Sequence, residues 1–188
     1  DFDRLALSNT NRIRTGVDHL GMLKTETTAR QIYLLNPYAR VELFSEGLTR
    51  ETIDRFFGDP RLDIVIDEID NLAVKCLIRE QAKKYKLPVV MAADNGDNGV
   101  VDIERYDLDD SLAFFHGRIG DVSYETLRSL NKFETGRLIG KHIGMENVPQ
   151  RMKDSLGEMG KTLVSWPQLG GAALLNGSAV AYCVRKII

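Results

Sequence analysis

Cysteine is nearly missing from this chain. Cys76 and Cys183 are the two in 188 residues, too few for a disulfide framework, and a reducing compartment is the simpler setting. Neither lies in a Cys-x-x-Cys pair, and the three histidines, His19, His116 and His142, are widely spaced. No four-ligand zinc set follows from that pattern, and no zinc is expected. A positive surplus is also lacking: 25 Lys and Arg face 27 Asp and Glu, a formal net charge of -2, which argues against general nucleic-acid binding. Long apolar runs are absent too. The nearest, residues 169–188, is interrupted by Asn176 and Ser178, ends in Arg185-Lys186, and falls short of the roughly 20 residues needed to span a bilayer. It reads as a buried Gly/Ala-rich helix packed closely on a neighbour. No succession of charged, apolar and small residues resembling a signal peptide opens the chain. With 43% hydrophobic and 28% charged residues, the expectation is an ordinary globular protein, cytoplasmic and without membrane contact.

What is present is an alternation of helix and strand signals. Gly21 to Leu35 predicts a helix, stopped by Asn36-Pro37 because proline lacks the amide donor. Arg40 to Phe44 alternates polar and apolar, as a half-buried strand does. Thr49 is placed to cap a helix reaching about Phe57, with Ile53, Phe56 and Phe57 inward. Leu62 to Asp67 is a β-branched run suited to a central strand. A helix over Asn71–Tyr85, a strand over Leu87–Ala93 and another over Val100–Tyr106 follow. That succession predicts an α/β fold: a Rossmann-like, doubly wound, mainly parallel sheet with a mostly helical C-terminal portion. The run Asp94 to Gly99 lacks the spacing and closing Glu of a calcium loop and reads as a turn between strands. Leu108 to Gly120 has no clear period and reads as a loop. Tyr124–Gly140 and Val148–Leu156 have helical composition broken by glycines, and Trp166-Pro167 turns into the final helix. The expected division is an α/β nucleotide-binding region over 1–107 and a loop and helical portion over 108–188, packed as one domain.

Chemistry concentrates at the start. Asp1-Phe2-Asp3 is followed by Ser8-Asn9-x-x-Arg12, then Gly21-x-x-Lys24, Asn36-Pro37 and Asp70-Asn71. An acid at a strand end is where a ribose hydroxyl is bound in doubly wound sheets, and Arg12 and Lys24 supply fixed positive charge for phosphates. Taken singly, Asp1 reads as a solubilising acid, Arg12 as a surface arginine and Asp70 as a helix cap. In this order and spacing, over about Asp1 to Tyr106, the pieces resemble the ThiF/MoeB family of ATP-dependent adenylyltransferases, which includes the ubiquitin-activating enzymes. The approach to the last helix, Ser165-Trp166-Pro167-Gln168-Leu169, carries the resemblance more weakly.

The resemblance implies attack of a C-terminal carboxylate on the α-phosphate of ATP, giving an acyl-adenylate and pyrophosphate. It implies Asp1 as the ribose-binding acid, and Asn9 and Arg12 as the polar pair approaching the phosphates. Lys24 is implied to stabilise charge during transfer, and Asp70 to hold Mg²⁺, a hard cation that prefers oxygen ligands. Asp3 reads as a turn former with an Asx-type backbone bond, and Asp67 and Glu68 as structural. ATP and Mg²⁺ are the implied cofactors, a small ubiquitin-like sulfur-carrier protein the implied partner, and a homodimer the implied assembly, with residues 170–184 and 108–115 as candidate contact surface. Both cysteines fall in helices as core residues, which disfavours a thioester step. The family's Gly-rich strand-helix-strand unit is expected ahead of Asp1. Two other readings compete: a non-catalytic scaffold of the same fold, and a nicotinamide-dependent oxidoreductase, which gives Arg12, Lys24 and Asp70 no joint work.

Overall fold

The computed structural model describes residues 1–58, 62–164 and 166–188, with Lys132 described by its backbone. The chain forms two compact units, residues 1–56 and residues 57–188. In the first, α1 (Lys24–Leu35) turns Thr27 and Ala29 inward and ends at Asn36, one residue before the proline. Arg40–Phe44 was expected as a strand, and it forms none. What pairs in this unit is the opening segment. Arg4 bridges antiparallel to Leu23, with Leu5 N–H donating to Met22 O and Lys24 N–H to Asp3 O. The helix α2 (Ile53–Gly58) is entered through Thr49, whose Oγ1 accepts from the amides of Glu51 and Thr52.

The second unit is built on three strands, β1 (Val65–Asp67), β2 (Pro88–Asn95) and β3 (Asn98–Arg105), in that order across the sheet. β1 and β2 are parallel and joined by α3 (Leu72–Lys84); β2 and β3 are antiparallel. The mainly parallel sheet expected from the sequence is thus a mixed one among the described residues. The reason is the turn: Asp94 pairs with Gly99 and Asn95 with Asn98, so the chain reverses through Gly96-Asp97. A parallel return would need a crossover of a dozen residues or more. Gly96, at φ +67°, supplies the left-handed backbone that such a turn uses.

β2 is buried from Pro88 to Ala92 because both of its faces are covered. Met91 touches Arg79 of α3. Val90 and Ala92 pack with Val180 of α7 (Gly170–Ile187), beside Ile103 and Val184. Gly99 lets that helix approach: a Cβ there would lie 2.0 Å from Asn176 Oδ1. Only one stripe of α7 is buried, Ala172, Asn176 and Val180, while Leu174, Leu175 and Tyr182 are exposed, so the helix expected to be buried is buried along one face.

A second core cluster joins Leu72, Ala73 and Cys76 of α3 to Phe115, Ile119 and Leu127; Cys76 is packing, as expected. The helical portion comprises α4 (Tyr124–Arg128), α5 (Lys132–Ile143) and α6 (Gln150–Gly157). The break between α4 and α5 is not set by glycine. Asn131 caps α5 and Glu134 reaches back to its amide in a capping box, while Gly136 and Gly140 lie inside the helix. Among the described residues no helix is long and apolar enough to cross a membrane.

Candidate functional site

In the first unit the backbone pairing of Asp3–Leu5 with residues 22–24 fixes the acids of the opening beside the start of α1. Asp1 Oδ1 accepts from Asp3 N–H at 2.9 Å, so the Asx-type bond expected of Asp3 is made by Asp1. The Asp3 carboxylate instead pairs with Lys24 Nζ at 2.7 Å. Lys24 is the first residue of α1, whose N-cap is Leu23 with no side-chain cap. A cation there opposes the helix dipole, and uncapped first-turn amides favour an anion. Asp3 offsets part of that charge, and a phosphate would serve the rest.

Asn9 is buried, and its Oδ1 accepts from Ala6 N–H at 3.0 Å. Its amide nitrogen is left as the group able to donate. Arg12 Nη1 donates to Ser8 O and to Asn11 Oδ1, and its guanidinium makes no ion pair with a carboxylate among the described residues. The structure thus groups Asp1, Asp3 and Lys24, and places Asn9 on the short 3₁₀ helix and Arg12 on the turn that follows it.

Asp70 belongs to the second unit, in the bend after β1. It is not the cap of α3: Asn71 is, with its side chain accepting from Val74 N–H at 3.1 Å. The Asp70 carboxylate is exposed and lines a cavity of about 710 Å³ at the carboxyl ends of β1 and β2. Glu68, Asp94, Lys75, His142 and Asn176 line it too, among apolar residues that include Ile66, Met91, Phe115, Ile139 and Val180. Among the described residues no group of three His, Cys, Asp or Glu side chains is arranged to hold a metal ion alone. The donor type at Asp70, a single exposed carboxylate, is one that Mg²⁺ takes together with waters and substrate phosphates. Glu68 Oε1 accepts from Ala92 N–H at 3.1 Å, and burial raises its carboxyl above the usual range.

Behind the cavity lies a charged network that the sequence reading missed. Arg79 is fully buried, 2.6 Å from Asp67 Oδ2 and 2.6 Å from Glu104 Oε2, the second contact out of line for a hydrogen bond. Its guanidinium sits 4.0 Å over the Phe115 ring. Glu104 Oε1 accepts from Tyr106 Oη and from Phe115 N–H. Burial opposes ionisation of Asp67, but Lys75 and Arg79 overcome it and hold its carboxyl below the usual range. For Tyr106, burial and then Glu104 push the phenol upward.

Beside this network, Asp102 takes His116 Nε2 at 3.1 Å and Arg118 Nη1 at 2.6 Å, with His142 Nε2 at 3.8 Å. Two histidines widely spaced in sequence therefore meet one carboxylate. Burial is the first cause that lowers His142, to about 4, against the pull of Asp102. Phe115 and His116 adopt left-handed backbone, φ 54° and 53°, a conformation that costs about 1–3 kcal/mol per residue. Their contacts with Arg79 and Asp102 hold it. The signal in the sequence was Asp102 and Glu104, two acids spaced by two on one face of a strand.

With that geometry in view, the family comparison is decisive: a model described as the ThiF family matches residues 1–104. The chain belongs to the ThiF family. It is 37% identical over 187 residues to "Uncharacterized protein MT1398" of Mycobacterium tuberculosis (strain CDC 1551 / Oshkosh), covering 100% of this chain and 26% of that protein. It is 29% identical over 108 residues to "Molybdopterin-synthase adenylyltransferase" of Haemophilus influenzae (strain ATCC 51907 / DSM 11121 / KW20 / Rd), covering 57% of this chain and 44% of that protein. A solved structure described as "Crystal Structure of SeMet PaaA" matches 100% of this chain and 54% of its own, with a TM-score of 0.60 at 20% identity, a likeness of fold. The chain spans between about a quarter and about half of these proteins.

Proposed function

We propose that this ThiF-family chain serves ATP-dependent adenylylation of a carboxylate, with a ubiquitin-like sulfur-carrier C-terminus or a similar acid as acceptor. The observation that carries the reading is the Asp3–Lys24 pair at the uncapped start of α1, a phosphate-seeking arrangement built from the motif residues themselves. A relative named as an adenylyltransferase supports it.

The barrier to adenylylation is repulsion between two anions, the α-phosphate and the incoming carboxylate. Lys24 opposes it with a fixed positive charge backed by the amides of α1, acting electrostatically and not as a nucleophile. Asp3 aims the ammonium; the three donors of Nζ allow it to keep Asp3 and meet a phosphate oxygen together. Arg12, without a carboxylate partner among the described residues, offers planar bidentate donors to phosphate, and the Asn9 amide nitrogen adds a neutral one. Asp1 keeps its second carboxylate oxygen for a ribose hydroxyl. Asp70, relieved of capping duty by Asn71, holds Mg²⁺ in this reading. The ion would supply charge neutralisation on phosphate oxygens.

Pyrophosphate exchange into ATP, measured on full-length protein with its acceptor, is the test. Lys24→Ala should lower turnover by about 10²-fold or more while ATP affinity changes far less. Wild-type exchange in Lys24→Ala would remove the catalytic assignment and favour a non-catalytic scaffold of the same fold.

A further inference from the structure

The loop between β1 and α3 carries Asp70, and the residues on either side of it are tied down. Asp67, the last residue of β1, is buried, and its Oδ1 accepts from Ile69 N–H at 3.2 Å. The same carboxylate is fixed from the core by Lys75 at 3.1 Å and by Arg79 at 2.6 Å. Arg79 Nη1 also donates to Lys75 O at 3.0 Å, so the anchor reaches two turns of α3. On the other side Asn71 is held by the Val74 amide. The Asp70 carboxylate has no hydrogen bond or ion pair among the described residues. A braced loop thus ends in one free acid.

Glu68 adds a brace of a different kind. Its residue is exposed, yet its carboxylate turns back onto the main chain, with Oε1 accepting from Ala92 N–H at 3.1 Å. The register gives the reason. β1 ends with Asp67 opposite Met91, so the amide of Ala92 lies one residue past the last β1 partner. Ala92 is buried, and a buried amide needs an acceptor. Glu68 supplies it with a side chain where the strand has run out. That bond ties the loop to β2, as Asp67 ties it to α3.

We propose that Glu68 is a positioning residue for Asp70: by holding the Ala92 amide it fixes the loop against β2 and sets where the Asp70 carboxylate meets Mg²⁺. This rests on the reading of Asp70 as the metal-holding acid. Mg²⁺ demands near-ideal octahedral geometry, so an acid on a shifting loop would have to be ordered each time the ion binds. The Glu68 bond does that ordering in advance. Glu68 acts through one accepted hydrogen bond, not through its charge, and that separates it from a second ligand to the ion. An amide oxygen in its place makes the same bond without the charge.

The probe is Mn²⁺, which suits the same carboxylate, phosphate and water ligands as Mg²⁺. It is titrated into full-length protein with saturating ATP, and the protein-bound ion is followed by water-proton relaxation, a readout independent of turnover. Glu68→Ala should weaken Mn²⁺ binding by about tenfold or more and leave ATP affinity in the absence of metal unchanged. Glu68→Gln should bind Mn²⁺ as the wild type does. Wild-type Mn²⁺ affinity in Glu68→Ala would overturn the proposal. So would equal weakening in Glu68→Gln and Glu68→Ala, which would make Glu68 a ligand through its charge. Asp70→Asn separates this idea from the reading beneath it, and should weaken Mn²⁺ more than Glu68→Ala does. Undiminished Mn²⁺ binding in Asp70→Asn would overturn the metal reading of Asp70 and the proposal with it. Weakening in Asp70→Asn but in neither Glu68 variant would overturn the proposal alone.

Discussion

Arg79 is the residue on which most of the buried charge in the second unit converges. Two carboxylates and an aromatic ring surround it with no exposure to water. Removing one member of a buried ion network leaves the rest uncompensated, which costs more than the network contributes intact. Arg79→Met should therefore destabilise by about 3–5 kcal/mol, read from the denaturation midpoint; a midpoint within 1 °C of wild type would show that Asp67 and Glu104 find other partners or protonate without cost. His142 gives the pH counterpart. Its native value is lowered to about 4 from an ordinary 6.5, so between those values the native state binds fewer protons than the unfolded chain. Stability then rises with pH across that window. The melting temperature should fall as pH is lowered from 7 to 4.5, with a shallower slope in His142→Asn. The Asp67 contribution runs the same way but lower, present above the usual carboxylate value of 3.8 and lost only as pH falls below it.

At the scale of elements, the start of α3 separates a helix cap from an acid left facing the cavity. From the sequence, Asp70 read as a helix cap when taken singly and as a metal-holding acid through the resemblance. The structure divides the labour: Asn71 accepts the Val74 amide and Asp70 faces the cavity. Asn71→Ala should cost about 1 kcal/mol of stability. Asp70→Asn should leave the melting temperature unchanged while removing the stimulation of pyrophosphate exchange by added Mg²⁺. A lower melting temperature with intact Mg²⁺ stimulation in Asp70→Asn would make it a structural residue. Where elements were legible, local patterning carried them: the Asn36-Pro37 stop, the apolar run Pro88–Ala93 of β2 and the Asn71 start of α3 follow from residues adjacent in sequence. Direction and pairing were not legible. β3 and the candidate strand at Arg40–Phe44 show equally good alternation, and the difference lies in partners. β3 has β2 across a two-residue turn, while Arg40–Phe44 has no ladder among the described residues. The Asp102–His142 and Arg79–Glu104 contacts were hidden for the same reason, since they join residues 25 to 40 positions apart.

On the scale of the whole molecule, the two units differ in how much core they hold. Among the described residues, the buried apolar side chains of residues 1–56 are Leu5, Ala29 and Ile53. The second unit has two clusters, a central strand covered on both faces, and the Arg79 network. A segment of that size with so little buried area is marginal by itself, and it carries the residues assigned to phosphate. A ligand that binds only the folded form stabilises by mass action, about 2.7 kcal/mol at a hundredfold excess over Kd. Its effect on exchange is largest where opening is otherwise cheapest. Hydrogen exchange of the full-length protein should therefore show fast exchange over residues 1–56 and slow exchange over β2, α3 and α7. Adding ATP and Mg²⁺ should slow residues 3–12 and 22–28 by up to about 100-fold, the ratio equivalent to that free energy. Protection confined to residues 57–188 would mean that the phosphates do not engage Arg12 and Lys24, and the adenylylation reading would lose its anchor. Slowing in the first unit that persists in Lys24→Ala, while its pyrophosphate exchange is lost, would assign Lys24 to the transfer step and not to nucleotide binding.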